Sequence, residues 1–475
     1  MQVTVVGTAR SAKIDRVQRE PAQVDQDAGA GRATPGDILH LAVPALGALL
    51  AEPLFLLADT AIVGHLGTQP LAGLGTSAAA LSTLVNVCIF LAYGTTTAAA
   101  RRIGAGDREG ALRMGIDGMA LAACLGLALA CVGVPFAPWI VRLLGATPAS
   151  AGYAATYLRI SSIGLPAMLV VLAGTGLLRG MARTRTPLLI AAIGAIANAA
   201  LNYLLVYPAG MGIAGSALGT ALTQTGMAVA YARITHQAAR ALGVRPIPEL
   251  GGIRASMGTN FALLVRTLSL RIYILIGVWV AGALGTVPLA AHTVANNLWN
   301  LLAMALDALA IAAQTLVGHA LGARDPDRAR HLLQRLIRWG FAYGILTGAL
   351  LLVAAPYLVR LLTPDHNVRA ALVGVIVIMA VLQPIAGPVF VLDGVLIGAG
   401  DTRYLARAGA ACTLVFAAAA LPVAGVPLSL AYLWWAIGVF MVARLVALSL
   451  RSRGPAWLTA GDDDQLARSP DTPDI

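Results

Sequence analysis

The chain has 475 residues, 58% of them hydrophobic and only 12% charged, with 51 glycines and a mean hydropathy of +0.78. Soluble domains carry about a quarter charged residues, so this chain has too little polar surface to coat itself in water, and a soluble enzyme is excluded. The formal net charge of +11 would suggest nucleic acid in a soluble chain, but here it is read against membrane topology and no nucleic-acid partner is expected. Lys13 is the sole lysine, and a positive charge built almost wholly of arginine fits a GC-rich genome better than selection for phosphate binding.

Residues 1–36 mix Arg10, Lys13, Arg16, Arg19, Glu20 and Asp25 with glycine and proline and hold no apolar core. They are expected to form a disordered cytoplasmic tail, not a signal peptide. From Ile38 onward, apolar segments are predicted at 38–63, 71–100, 114–136, 152–175, 188–207, 212–235, 256–282, 289–318, 334–355, 369–396, 404–424 and 428–450. Each meets the roughly 20 residues a helix needs to cross a bilayer. None is a short alternating strand, which excludes a β-barrel, and their number excludes a monotopic anchor. The expected class is an all-α membrane protein of twelve transmembrane helices.

Arginine placement orients the chain, because positive charge in short loops stays on the cytoplasmic side. Arg101, Arg102, Arg108 and Arg113 follow span 2; Arg179, Arg183 and Arg185 follow span 4; Arg240, Arg245 and Arg254 follow span 6. Arg324, Arg328, Arg330 and Arg335 follow span 8, Arg403 and Arg407 span 10, and Arg451 and Arg453 span 12. The odd-numbered loops hold few, chiefly Arg142, Arg360 and Arg369. Both termini are therefore expected to be cytoplasmic. Cys88, Cys124, Cys131 and Cys412 lie within apolar spans without metal-type spacing, so they read as packing residues. No phosphate loop, HExxH or Ser/His/Asp signature is present, so neither an enzyme nor a resident cofactor or metal is expected.

The chain repeats itself. Leu66-Gly67-Thr68-Gln69-Pro70-Leu71-Ala72 matches Leu284-Gly285-Thr286-Val287-Pro288-Leu289-Ala290, an offset of 218 residues. The same offset pairs Gly104-Ala105 with Gly322-Ala323, Asp107 with Asp325, Pro138 with Pro356, and Arg142-Leu143-Leu144 with Arg360-Leu361-Leu362. It also pairs Pro166 with Pro384, Gly176 with Gly394, Gly180 with Gly398, and Thr184-Arg185 with Thr402-Arg403. Six spans per half is an even number, so both halves enter the membrane in the same sense. Parallel repeats of this kind are a transporter architecture with the substrate path at their interface. The expected division is a tail over 1–36, a first lobe over 37–236, a polar cytoplasmic linker over 237–255, a second lobe over 256–452, and a tail over 453–475.

Pro44 in span 1, the run from Asp59 through Gly67 closing that span, and Asp393-Gly394-Val395-Leu396-Ile397-Gly398-Ala399 in span 10 resemble the MATE (multidrug and toxic compound extrusion) family, and most of all its DNA-damage-inducible F, or DinF, branch. The resemblance covers about residues 37 to 450 and implies the two-lobe MATE fold.

An acid at the bilayer centre costs several kcal/mol, so each is a functional candidate. Asp59, in the outer half of span 1, reads as a proton-exchanging group or as an interfacial helix cap. The resemblance favours the first, since the matching aspartate in MATE proteins couples the cation in the first lobe. Asn198 and Asn202, four apart on span 5, share a helix face and could bond Asp59, offer oxygens to a cation, or simply bind helices together. The resemblance implies a coupling site of Asp59, Asn198, Asn202 and Thr220, with Thr175 at its edge. Some family members carry an aspartate at the position of Asn202, and one acid fewer favours protons over sodium as the coupling ion.

Glu52 precedes Asp59 by two turns and could line the same cavity, although Pro53 makes local capping of a kink the rival reading. Asp117 reads as interfacial. Arg266, Arg271, Asp307 and Asp393 are two charges of each sign in one lobe and are expected to pair, a pairing that could serve fold specificity alone. Asp307, Gln314 and Asp393 also resemble DinF-branch positions, so they join Glu52 as candidates for a substrate cavity. Pro44 is the candidate hinge.

The resulting expectation is a secondary transporter of a bacterial cell membrane, acting as a monomer in the lipid bilayer. It would export amphipathic, often cationic, organic compounds against entering protons by alternating access. A sodium-coupled exporter of the same fold and a lipid-linked precursor flippase of the same superfamily are the alternatives. The flippase reading expects a cationic central cavity, whereas the internal arginines here are few and expected to be paired.

Overall fold

The computed structural model describes residues 35–425 and 430–460; the predicted N-terminal tail over 1–36, except Pro35 and Gly36, which open the first helix, and most of the C-terminal one lie outside them. In hydrocarbon every backbone polar group must be satisfied within its own segment, and the described residues form helices with no strand. Span 1 is α1 (Pro35–Gly64), span 2 is α2 (Thr68–Val87) continued by α3 (Phe90–Gly104), and span 3 is α4 (Arg108–Leu143). Span 4 is the pair α5 (Pro148–Ile163) and α6 (Leu165–Gly180), bent by 52°. Spans 5 and 6 are α7 (Arg185–Val206) and α8 (Ile213–Ala241). The second lobe runs α9 (Leu250–Ala283), α10 (Thr286–Gly322), α11 (Pro326–Leu362), α12 (His366–Gly398), α13 (Thr402–Ala420), which ends in a 3-10 turn (Leu421–Gly425), and α14 (Leu430–Arg453). Ten helices are long and apolar enough to cross a membrane, the bent pair makes eleven, and α8, at 29 residues, occupies the remaining place. Leu57, Ile196, Leu275 and Tyr357 point outward, each more than 60% exposed, as an acyl-chain belt requires.

The 218-residue offset holds in the backbone. Thr68–Gly104 maps onto α10 end to end, and Pro148–Gly180 maps onto α12. Asp107 caps α4 by accepting from the Gly110 amide at 2.7 Å, and Asp325 caps α11 by accepting from the Arg328 amide at 2.9 Å. The repeated glycines mark where spans 2 and 4, and 8 and 10, cross. A Cβ on Gly176 would stand 2.4 Å from the Ala92 carbonyl oxygen, and one on Gly394 the same distance from that of Ala310. Two departures from symmetry matter. Span 2 breaks at Cys88-Ile89, where α10 is continuous through Leu306-Asp307, and span 4 bends at Gly164, where α12 has Leu382. Proline stands at equivalent positions of both lobes, Pro166 and Pro384, so proline alone does not make the bend; at the bend Gly164 lets α8 approach closely, since a Cβ there would stand 3.1 Å from that of Ala221.

The lobes are joined by residues 242–249, a shorter connection than 237–255 because α8 continues to Ala241 and α9 already begins at Leu250. They pack together through α10 against α1 and α3, α9 against α3 and α4, and α12 against α3.

Candidate functional site

Asp59 lies one turn before the end of α1 and is 4% exposed. Three other spans bring donors to it. Tyr157 of α5 donates its hydroxyl to Oδ2 at 2.9 Å, Thr220 of α8 donates to the same oxygen at 3.3 Å, and the Asn202 amide of α7 donates to Oδ1. A second layer orients the first: Asn198 donates to Thr220 Oγ1 at 3.0 Å, and Asn202 Nδ2 also donates to Asn198 Oδ1 at 3.3 Å. The i, i+4 spacing places both carboxamides, fully buried, on the face of α7 turned to α8 and α1. Among the described residues three buried oxygens border this cluster without a hydrogen bond of ordinary geometry, Asn202 Oδ1, Ser161 Oγ and Ser216 Oγ; the Ser216 hydroxyl faces Asp59 and that of Ser161 faces Tyr157. Buried oxygens of this kind are rare in proteins; here one amide oxygen and two hydroxyls, which can accept as well as donate, stand beside a carboxylate, a donor set compatible with a small cation.

Four of the five predicted coupling residues are thus brought together. Thr175 is not among them: it donates to the Tyr231 hydroxyl at 2.8 Å, away from Asp59. Tyr157, Ser161 and Ser216 belong to the cluster and were not singled out in the sequence, where a tyrosine or serine in an apolar helix carries no distinguishing signal. Glu52 does not share the site either. The face of α1 that carries it is exposed, and its charge acts on Arg271 of α9 rather than on Asp59's neighbours. The seven-residue spacing alone misleads because α1 changes partners along its length: around Ala45 it packs on Ala308 and Ile311 of α10, and at Asp59 on α5, α7 and α8.

Pro44 has no amide hydrogen, which deprives the His40 carbonyl of its helical partner. The Thr184 hydroxyl takes that place, donating to it at 3.3 Å.

In the second lobe a cavity of about 220 Å³ opens among α9, α10, α12, α14 and the α2–α3 break. Asp307, Gln314 and Asp393 line it, as do Arg266, Arg271 and Arg444. The expected two-by-two pairing holds in part. Arg266 pairs with Asp393, its Nε donating at 3.2 Å and its Nη2 also bonding, but the second cation on Asp393 is Arg444 of α14, at 3.2 Å, and not Arg271. Asp307 makes no hydrogen bond or ion pair among the described residues, and it lies in the fields of Arg266, Arg444 and Arg179. Arg444, an arginine within an apolar span, was legible as a candidate by the same cost argument that selected the acids. Gln314 donates from Nε2 to the Tyr93 carbonyl at 2.8 Å and to Thr97 Oγ1 at 3.0 Å, so it joins the lobes as well as edging the cavity.

Two duplicated six-helix lobes, a buried carboxylate cluster in one and a charged cavity in the other define a multi-pass membrane transporter, not an enzyme. A family model described as MatE matches residues 44–204 and 262–423, one segment in each lobe, and the chain belongs to this family of transporters. It is 28% identical over 424 residues to Protein DETOXIFICATION 44, chloroplastic, of Arabidopsis thaliana, covering 86% of this chain and 81% of that one. It is 27% identical to DNA damage-inducible protein F of Escherichia coli, covering 86% and 90%, and 26% identical to the probable multidrug resistance protein NorM of Pseudomonas syringae, covering 89% and 95%. The fold is that of solved MATE structures. A MATE in the bent conformation superimposes with a TM-score of 0.78 at 21% identity, covering 91% of this chain and 96% of that chain. An outward-facing multidrug resistance MATE transporter gives 0.75 at 21% identity with the same coverage.

Proposed function

We propose that the chain is a cation-coupled antiporter that exports organic compounds by alternating access, with Asp59 as the coupling group and the proton as the coupling ion. The observation that carries this reading is the Asp59 cluster: one carboxylate, buried in the membrane, satisfied by donors from three spans and bordered by three further buried oxygens. As a carboxylate, Asp59 can only accept. In this reading the proton loads on Oδ1, which then donates, and the bond from Asn202 Nδ2 to that oxygen gives way. Rotation of the Asn202 amide would turn its unpartnered Oδ1 to meet the new hydroxyl. Loading a proton therefore rearranges the contact between α1 and α7.

The hinge in this reading is Pro44. Just beyond Pro44, around Ala45, α1 packs on the second lobe, and its end is tied into the first, so a bend at Pro44 displaces the segment that meets the lobe interface. The connection between the lobes, expected over 237–255 and narrowed by the flanking helices to 242–249, serves as the linker about which the lobes rock. The arginine-rich ends face the cytoplasm in this reading, as in a bacterial inner membrane, and both termini lie there. A membrane potential contributes about 2.3 kcal/mol per charge per 100 mV and a pH unit about 1.4, enough for export against ratios of ten to several hundred.

The three further oxygens also favour a second reading, sodium in place of the proton. Efflux of a fluorescent dye from proteoliposomes under an imposed pH gradient, with sodium absent and then added, distinguishes the two. The expected result is proton-driven efflux in the wild type that is lost in Asp59→Asn. A strict sodium requirement would replace the ion, and normal pumping by the variant would remove Asp59 from the mechanism.

A further inference from the structure

The cavity of the second lobe holds more positive than negative charge. Arg266, Arg271 and Arg444 line it, and Arg179 of α6 reaches it through its field on Asp307 and Tyr93. Against these four arginines stand Asp307, Asp393 and, across from Arg271, Glu52 of α1, so cations lead four to three. The surplus is also localised. Asp393 is bound by two arginines, whereas Arg271 makes no hydrogen bond or ion pair among the described residues. The side chain of Arg179 is likewise unpaired, with a residue exposure of only 8% and a buried Nε that has no partner. Tyr93 lies in the fields of Arg266, Arg179 and Arg271, and its ring lies 5.5 Å beneath the Arg266 guanidinium.

Guanidinium groups keep their charge in proteins and present a planar fork of donors that fits carboxylate and phosphate oxygens. Unpaired and withdrawn from water they are costly, and an oxyanion supplies the missing acceptors. An organic cation entering the same cavity would meet like charge. The remaining walls are apolar and aromatic: Tyr273, Trp299 and Phe390 face the cavity, and Tyr273 and Trp299 continue into a small adjoining recess with Phe416 and Trp434.

We propose that this cavity binds a small amphipathic organic anion, its carboxylate or phosphate held by Arg271 and Arg266 beside Tyr93 and its apolar body against Tyr273 and Trp299. The assignment rests on the transporter reading and names the substrate class of that transporter.

Direct binding tests it without requiring flux. Purified full-length protein in detergent is titrated with radiolabelled benzoate, with unlabelled benzoate, phenyl phosphate and tetraphenylphosphonium as competitors. Saturable benzoate binding that one of the oxyanions displaces and tetraphenylphosphonium does not is expected, and the better competitor identifies the headgroup. Arg271→Gln should weaken binding about tenfold, the worth of one good charge-assisted contact. Arg271→Lys, which keeps the charge and loses the fork, should fall between, and a thermal melt confirms that both variants are folded. Asp307→Asn, which removes an anion from the cavity, should tighten binding. Absence of saturable binding by either oxyanion, unchanged affinity in folded Arg271→Gln, or tetraphenylphosphonium binding that Asp307→Asn abolishes would each overturn the proposal. The two readings fail separately: proton-driven dye efflux lost in Asp59→Asn but without oxyanion binding removes only the charge assignment, and oxyanion binding without any ion-driven flux removes only the coupling.

Discussion

Thr97 and Thr315, equivalent residues of the two lobes, each donate a hydroxyl across the lobe interface, Thr97 to the Ile397 carbonyl at 3.0 Å and Thr315 to the Arg179 carbonyl at 3.2 Å. The acceptors are themselves related by the 218-residue offset, so the interface has the symmetry of the repeat. Nearby, Arg101 Nη1 donates to the Ala399 carbonyl at 2.8 Å, and its counterpart His319 donates from Nε2 to the Gly180 carbonyl at 2.8 Å. These bonds lock the lobes together on their arginine-rich side.

That lock depends on two close backbone approaches. A Cβ on Gly104 would stand 2.1 Å from the His319 carbonyl oxygen, and one on Gly322 would stand 2.0 Å from that of Arg101. Replacing either glycine by valine should therefore hold the lobes apart on this side, at about 1–3 kcal/mol of overpacking. Thiol labelling of a cysteine placed at Thr97 in a cysteine-free background should accelerate, and unchanged labelling would show that the contact is not a gate.

Removing a shared partner should cost more than removing an isolated charge. Asp393→Asn strips Arg266 and Arg444 of their carboxylate, and a loss of about 3–5 kcal/mol is expected from two stranded cations. Asp307→Asn loses no ion pair and should leave the thermal midpoint close to that of the wild type. Equal shifts in a thermal melt would contradict this ordering.

Asp117 ties the first lobe to the start of the second. Its Oδ1 accepts from the backbone amide of Glu249, the N-cap of α9, at 2.8 Å. Asp117→Ala should cost about 0.5–2 kcal/mol, as loss of a helix cap does. Faster deuterium uptake at the amides of residues 249–253 is the expected sign, with α4 itself unaffected.

Within the Asp59 cluster the donors should divide by role. Tyr157→Phe removes one of two donors to Oδ2 and is expected to slow proton-driven efflux without abolishing it. Asn202→Ala removes the amide that donates to Oδ1 and the group that must rotate, so efflux should fall towards the level of Asp59→Asn. Initial rates of dye efflux under a fixed pH gradient compare the three.

Membership of a twelve-helix, duplicated membrane fold was legible in the sequence, because hydrocarbon admits little but helices and the repeat writes its glycines, prolines and aspartates twice. Asp59, Asn198 and Asn202 were legible for a related reason: polar groups in an apolar helix are costly enough to stand out, and i, i+4 spacing fixes a shared face; Thr220 was implied by the family resemblance alone. Tertiary structure alone decided which helices face one another. It gave Asp393 two arginines instead of one, sent Thr175 to Tyr231, turned Glu52 towards Arg271, and buried Arg179, which the sequence placed in a loop, in the last turn of α6 within the field of Asp307. Periodicity sets the direction of a side chain within its own helix, but the partner it meets depends on how separate helices pack, and that is settled by contacts hundreds of residues apart in the chain.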